Sequence, residues 1–383
     1  MEQTKTELHT HLMGMMTSER FLKFLSNYLD CVYWPLDEPI SNASQTVPIS
    51  SLLTDEDALN SLRIPHGTQV DYFTLDDRYA TRTELLKLAV HKTFSRLYRE
   101  VKEKHPDVID ETVKKAVTST AETTVYNDYI NSSLLELVNQ GVEYVEISYS
   151  NPRIITNFVM DDYLKDKITC KFLLSTDRSR SLKNMRQSIK SLRTLLVTSF
   201  AVGIDIMGQE RPFSTEELDP NNSKSFEKKL EMAFDELLQH NDTTLRIHSG
   251  EIPSKDNTLL TLRMIEHIAT KKGITIPPPE IRIGHGLHFN PSEDYLSLLK
   301  KFHCIVELNA SSNYGLGNIK DYSEVPYSYY LEHDIPVVIA TDGHGLYDTS
   351  IITEDKIARL NTTKDQYDTI LKTDTELLGK KVK

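Results

Sequence analysis

Two histidines one residue apart, His9 and His11, stand in the first strand-like run of the chain. Side chains alternate along a strand, so both imidazoles point to one face. At the C-terminal end of a barrel strand the pair would meet a single metal ion. Further candidates stand at the ends of later β-like runs: His248 and Glu251 in His-Ser-Gly-Glu, His285 in Gly-His-Gly, and Asp342 in Thr-Asp-Gly. Imidazoles and a carboxylate suit Zn²⁺, which takes nitrogen and oxygen ligands and leaves a position for water. Zinc lowers the pKa of its water to roughly 7, so a nucleophile exists at neutral pH. Glu251, on the same mouth as His248, could give the substrate a proton. Taken singly, each histidine has an ordinary reading as a hydrogen-bonded core residue, and Asp342 as a helix N-cap. Taken jointly, they read as the split zinc site of a hydrolase.

Such a site needs a frame that brings distant strand ends together. Eight strand candidates occur at 6–12, 142–149, 169–174, 202–207, 244–248, 281–284, 304–308 and 336–340. Amphipathic stretches at 84–104, 121–140, 182–198, 225–240 and 259–272 alternate with them. This order implies βα units, and a count of eight favours a closed (β/α)8 TIM-type barrel in the α/β class, with the site at the C-terminal face. The span between the first two strands is too long for one helix. Its part 38–69 is rich in Ser, Pro, Thr and Asp, so it reads as an inserted helical and loop region over the barrel mouth, within a single domain covering 1–383. Pro277-Pro278-Pro279 reads as a stiff connector into the sixth strand. Neither GxGxxG nor a P-loop is present.

Composition narrows the function classes. A net charge of −12 makes the surface unattractive to a nucleic-acid polymer, but it leaves room for a small phosphorylated ligand. No run of about 18 apolar residues exists, so no membrane span is expected. The opening residues lack a signal-peptide core. Cys31, Cys170 and Cys304 lack CxxC spacing, which argues against a disulfide framework and a cysteine-zinc site. The expected location is the cytoplasm. Oligomeric state stays open, a homo-oligomer included.

The motifs HTHLMG (9–14), GVEYVEISYS (141–150), GIDIMGQE (203–210), HSGE (248–251), GHG (284–286), ELNASSN (307–313) and TDG (341–343) occur in this order. Together they resemble the adenosine/AMP deaminase family of the metal-dependent amidohydrolase superfamily. Only the region 27–81 has no counterpart. The resemblance implies one zinc ion per subunit, held by His9, His11, His248 and Asp342. It also implies that Glu251 protonates purine N1, that His285 orients the attacking water, and that Asp342 helps take its proton. Gly208 would meet purine N3 through its backbone. The implied reaction replaces the 6-amino group of an adenine compound with oxygen and releases ammonia.

Two departures modify that expectation. Met13 stands where adenosine deaminases carry an acid that contacts the ribose 5′-hydroxyl, and a thioether is a poor acceptor. An acid there would repel a 5′-phosphate, so its absence points to AMP, dAMP or a di- or triphosphate, with Arg78, Arg82 and Arg153 as candidate phosphate contacts. Gly343 stands where the family has a second Asp that contacts purine N7, so one base-recognition bond is missing. Three other readings compete. One is a deaminase of free adenosine or deoxyadenosine. Another is a related amidohydrolase with a carboxylated lysine, disfavoured because 202–207 contains no lysine. The third is a weakened purine-nucleotide-binding or assembly subunit. Members of this general type also occur in antiviral defence systems, a role the resemblance permits.

Overall fold

The computed structural model describes residues 3–34, 45–108, 110–198, 200–254, 256–274 and 279–382. Among the described residues ten strands run in chain order: β1 Thr6–His11, β2 Cys31–Trp34, β3 Gln45–Pro48, β4 Tyr144–Tyr149, β5 Thr169–Asp177, β6 Ala201–Met207, β7 Thr244–Ser249, β8 Glu280–His285, β9 Ile305–Leu308 and β10 Val337–Ile339. Eight of them form one sheet in the order β1-β4-β5-β6-β7-β8-β9-β10, and every pairing in it is parallel. The ring is joined between its first and last strands by one parallel bridge, Thr10 to Asp342. There the Asp342 amide donates to the His9 carbonyl (2.8 Å) and the His11 amide to the Asp342 carbonyl (3.4 Å). With helices around it, this is the (β/α)8 barrel read from the sequence.

The helices form for the reasons their patterns suggest. Leu182–Val197 turns Met185, Ile189, Leu192 and Leu195 inward, at spacings that keep one face apolar, and Ser181 caps it by accepting from the Asn184 amide. The helix Tyr72–Lys104 starts well before the expected residue 84, because Asp71 caps it and accepts from the Thr74 amide (2.8 Å). Its first turns direct Tyr72, Leu75 and Tyr79 toward a small cluster with Ile64, Leu316, Leu346 and Tyr347, separate from the main core. Between β1 and β4 also lie short helices and the antiparallel β2–β3 hairpin, which the sequence pattern did not show. Helices Glu293–Lys301, Ile351–Leu360 and Lys364–Lys381 were likewise not singled out. Of the proline connector, Pro277 and Pro278 fall outside the described residues. Among the described residues no helix is long and apolar enough to cross a membrane.

Inside the barrel, bulky apolar residues give way to fully buried charges. Arg282 donates to Glu146 (2.8 and 3.1 Å) and Glu307 (3.2 Å). Arg246 donates to Asp205 (2.7 Å), to Ser148 and to the Leu8 carbonyl (2.5 Å). Burying such charges is tolerable because each has an opposite partner and several hydrogen bonds. This layer supports the histidines described next.

Candidate active site

Parallel register carries the strand ends to one mouth: His11 aligns with Ser148, His248 with Gly284, and Ser249 with His285. His9, His11, His248, His285 and Asp342 meet there, all buried. Ring centroids lie 4.6 Å apart for His9 and His248, 5.2 Å for His11 and His248, and 5.0 Å for His248 and His285. Asp342 Oδ1 stands 3.1 Å from His11 Nε2 and 3.5 Å from His9 Nε2. Gly284 makes this crowding feasible, since a Cβ there would stand 2.7 Å from His9 Cε1. His285 and Asp342 both have positive φ (69° and 63°), a conformation that is uncommon outside glycine and gathers at functional sites.

The donor atoms fit a metal ion. Three overlapping triads, His9–His248–His285, His9–His11–Asp342 and His11–Asp205–His248, each hold their ligand atoms within 4.8 Å of one another. Among the described residues the buried Nε2 of His9 has no hydrogen-bond partner. Two interior carboxylates support the rings from beneath: Glu307 Oε2 lies 2.8 Å from His9 Nδ1, and Asp205 Oδ1 lies 3.3 Å from His248 Nε2. Supports of this kind fix ring orientation around a metal. The sequence reading did not assign Asp205 or Glu307. Their signal was a charge at an interior position of an otherwise apolar strand.

Burial lowers the pKa of His9 well below the usual range, with help from Arg246 and the other imidazoles, and pushes His248 down to about 4. Both rings are therefore neutral, as ligation requires. For Asp342 burial acts upward, but the hydrogen bond from His11 and the surrounding imidazoles outweigh it and keep the carboxylate ionised. Burial raises Glu251, which favours its protonated, proton-donating form.

A cavity of 570 Å³ opens above this cluster, within the range of small-molecule sites. Glu251, His285, Asp342, Gly208 and Met13 line it, together with Tyr72 and Tyr79 from the helix Tyr72–Lys104. The three candidate phosphate arginines do not line it. Arg82 is fully buried, and its guanidinium donates to the carbonyls of Leu62 (2.6 Å), Met16 (2.7 Å), Gly345 (3.0 Å) and Met13 (3.3 Å). It braces loops rather than facing a ligand. Arg153 pairs with Glu122 at 3.0 Å on the outside, and the Nε of Arg78 is buried without a partner. The cations that do line the cavity are Arg178 and Arg211. His344 turns away from it toward Glu136, 3.0 Å distant.

The family model described as adenosine deaminase matches residues 131–369, well over half of the chain, so the chain belongs to the adenosine deaminase family of hydrolases. An N6-methyl-AMP deaminase-L of Xenopus laevis is 26% identical over 63% of this chain and 66% of its own length. An N6-mAMP deaminase of Arabidopsis thaliana is 26% identical over 92% of this chain and 85% of its own length. Among solved structures, an Arabidopsis deaminase complexed with IMP superposes with a TM-score of 0.57 at 16% identity, covering 97% of this chain and 90% of that one.

Proposed function

We propose that residues 1–383 act as one catalytic domain that hydrolytically removes the 6-amino or 6-methylamino group of an adenine nucleoside monophosphate. The observation that carries this reading is the convergence of His9, His11, His248 and Asp342, the last three lining one cavity together with Glu251 and His285. His9, His11, His248 and Asp342 would hold one zinc ion, a metal suited to a nitrogen and oxygen donor set. When bound, zinc supplies a water whose proton is released near neutral pH. The Asp342 carboxylate accepts that proton, and the His285 imidazole orients the water toward C6. Glu251 delivers its proton to ring N1, which withdraws electrons from C6 as the nucleophile adds. The backbone of Gly208 meets N3 and fixes the plane of the base.

The relatives named for N6-methyl-AMP support a phosphorylated substrate, and so does Met13, which leaves the 5′ end without a repelling acid. Arg211, exposed at the cavity rim, takes the phosphate-facing role in place of Arg78, Arg82 and Arg153. Asp76, Asp177 and Glu217 also line the cavity, and their charge disfavours longer phosphate chains. The test is a panel on zinc-loaded protein: adenosine, deoxyadenosine, their mono-, di- and triphosphates, and N6-methyl-AMP, read by mass spectrometry for the 6-oxo product. Turnover of monophosphates above all others is expected. Preference for free nucleosides would overturn the phosphate assignment, and silence across the panel would overturn deamination. Glu251→Ala should keep its metal and lose turnover, whereas Asp342→Ala should lose both.

A further inference from the structure

The segment His248–Glu251 leaves β7 carrying a metal-ligand candidate at one end and the proton donor at the other. Two buried charges from beyond the ends of β5 and β6 hold it. Glu210, beyond β6, accepts at Oε2 from the amides of Glu251 (2.7 Å) and Ile252 (3.4 Å), and at Oε1 from Asn257 Nδ2 (3.0 Å). Arg178, beyond β5, donates through Nη1 to the His248 carbonyl (3.3 Å) and lies 3.8 Å from Glu210 Oε1. Its guanidinium stacks on the rings of Phe213 (5.1 Å) and Phe226 (5.0 Å), and its own carbonyl accepts from the buried Lys229 Nζ (2.6 Å). Only 1% of Glu210 and 3% of Arg178 is exposed.

We propose that Glu210 and Arg178 form a clamp that sets the places of the Glu251 carboxyl and the His248 imidazole, which makes Glu210 a positioning residue for proton transfer to the base. The physical case is local. A buried carboxylate accepting several N–H groups makes strong charge-assisted bonds, and the shortest of these fixes the backbone nitrogen of the proton donor itself. The Arg178 bond to the His248 carbonyl fixes the other end of the same four-residue segment. Proton donation tolerates little misplacement, since an error of about 1 Å can cost about 100-fold. Substrate binding, by contrast, spreads over the whole cavity. A positioning role therefore lowers kcat without raising KM, whereas a general brace for the fold lowers metal content and stability together. The inference rests on the proton-donor role proposed above for Glu251.

The test uses the zinc-loaded full chain with Glu210→Ala and Glu210→Gln. Glu210→Ala is expected to lower kcat by about 10- to 100-fold, the worth of a hydrogen bond to a charged group, with KM and zinc content unchanged. Glu210→Gln keeps one oxygen for the Glu251 amide and is expected to recover most of that loss. In a Glu251→Ala background, adding Glu210→Ala is expected to leave the residual rate unchanged, because residues that act as a unit are not additive. A substrate-free readout runs alongside: deuterium exchange at the Glu251 amide should accelerate in Glu210→Ala while exchange in the barrel strands does not. Unchanged kcat with unchanged exchange would overturn the clamp, as would an equal loss in the Glu251→Ala background. If Glu210→Ala does not fold, Arg178→Met, which still fills the space between the two phenyl rings, is read the same way. There a kcat loss at constant KM supports the clamp, and a matched loss of metal and stability overturns it. No turnover by the unaltered protein would defeat the deamination reading, and amide exchange would still decide the clamp.

Discussion

Restoring the family's second aspartate through Gly343→Asp should harm this protein rather than improve it. Gly343 has φ +149°, and a Cβ on it would stand 3.2 Å from Gly14 Cα and 3.4 Å from both the carbonyl carbon and oxygen of Gly14. The two backbones have little freedom to separate. The Gly14 carbonyl accepts from the amides of Gly345 (2.8 Å) and Leu346 (3.0 Å), and the Gly343 carbonyl accepts from the amides of Leu346 (2.9 Å) and Tyr347 (3.1 Å). A side chain forced into this backbone conformation costs about 1–3 kcal/mol, and overpacking costs about 1–3 kcal/mol more. Scaling the unfolding entropy to a chain of this length gives about 1 °C of Tm per kcal/mol. Gly343→Asp should therefore lower Tm by about 2–6 °C in scanning calorimetry with zinc saturating. Because Asp342 is the adjacent residue, kcat/KM should fall as well. Gly343→Ala separates the steric cost from the carboxylate and should show most of the same Tm loss. A Gly343→Asp variant with unchanged Tm and higher kcat/KM would refute the reasoning and show that the loop yields.

Three further outcomes follow from other parts of the site and core. Met13→Asp places a carboxylate on the cavity wall and should raise KM for AMP by about tenfold or more relative to adenosine, as steady-state kinetics on the two substrates would show. Arg82→Met leaves buried carbonyls unpaired and should cost about 3 kcal/mol or more in denaturant unfolding. Its preference for phosphorylated over free nucleoside should not change, and a changed preference would return Arg82 to the phosphate. Burial raises Glu354 to about 7, against the hydrogen bonds it accepts from Ser311, Thr349 and Ala310. The folded chain thus holds a proton there between pH about 4.5 and 7 that the unfolded chain has released, so stability falls as pH rises through that window. Glu354→Gln, neutral throughout, should gain stability relative to the unaltered protein from pH 5 to pH 8, by up to about 3 kcal/mol; an identical difference at both pH values would contradict this.

The barrel was legible because its strands are short apolar runs, four of them with a potential metal ligand at or just beyond the C-terminal end. The runs at 142–149 and 202–207 correspond to β4 and β6 with ends displaced by two residues or fewer. The start of the helix Tyr72–Lys104 was harder to read because its first apolar residues, Tyr72, Leu75 and Tyr79, are interleaved with Asp76, Asp77 and Arg78 and pack outside the main core. The convergence of His9, His11, His248, His285, Glu251 and Asp342 could be argued from strand parity and barrel closure alone. The phosphate arginines could not, because Arg82 sits in a segment whose path depends on loop packing, and its donors go to backbone carbonyls distant in sequence. Glu210 stood in a recognised motif with no visible role. Its partners, the Glu251 amide and Asn257, come near only through the folded ends of β6 and β7. Gly343 was legible as a departure, and contact with Gly14 supplies its physical reason.

The barrel closes where the chain's first and last strands meet, and that junction lies among His9, His11 and Asp342. The donor set thus joins the first barrel strand to the residue that follows the last, with His248 reaching it from β7. His9 and His11 stand in the first barrel strand, yet the set is not complete until residue 342 has been made and the eighth barrel strand has docked against the first. A metal ion held by this set would therefore find its final geometry only after that docking, and it would hold shut a join that, among the described residues, the sheet makes with a single bridge.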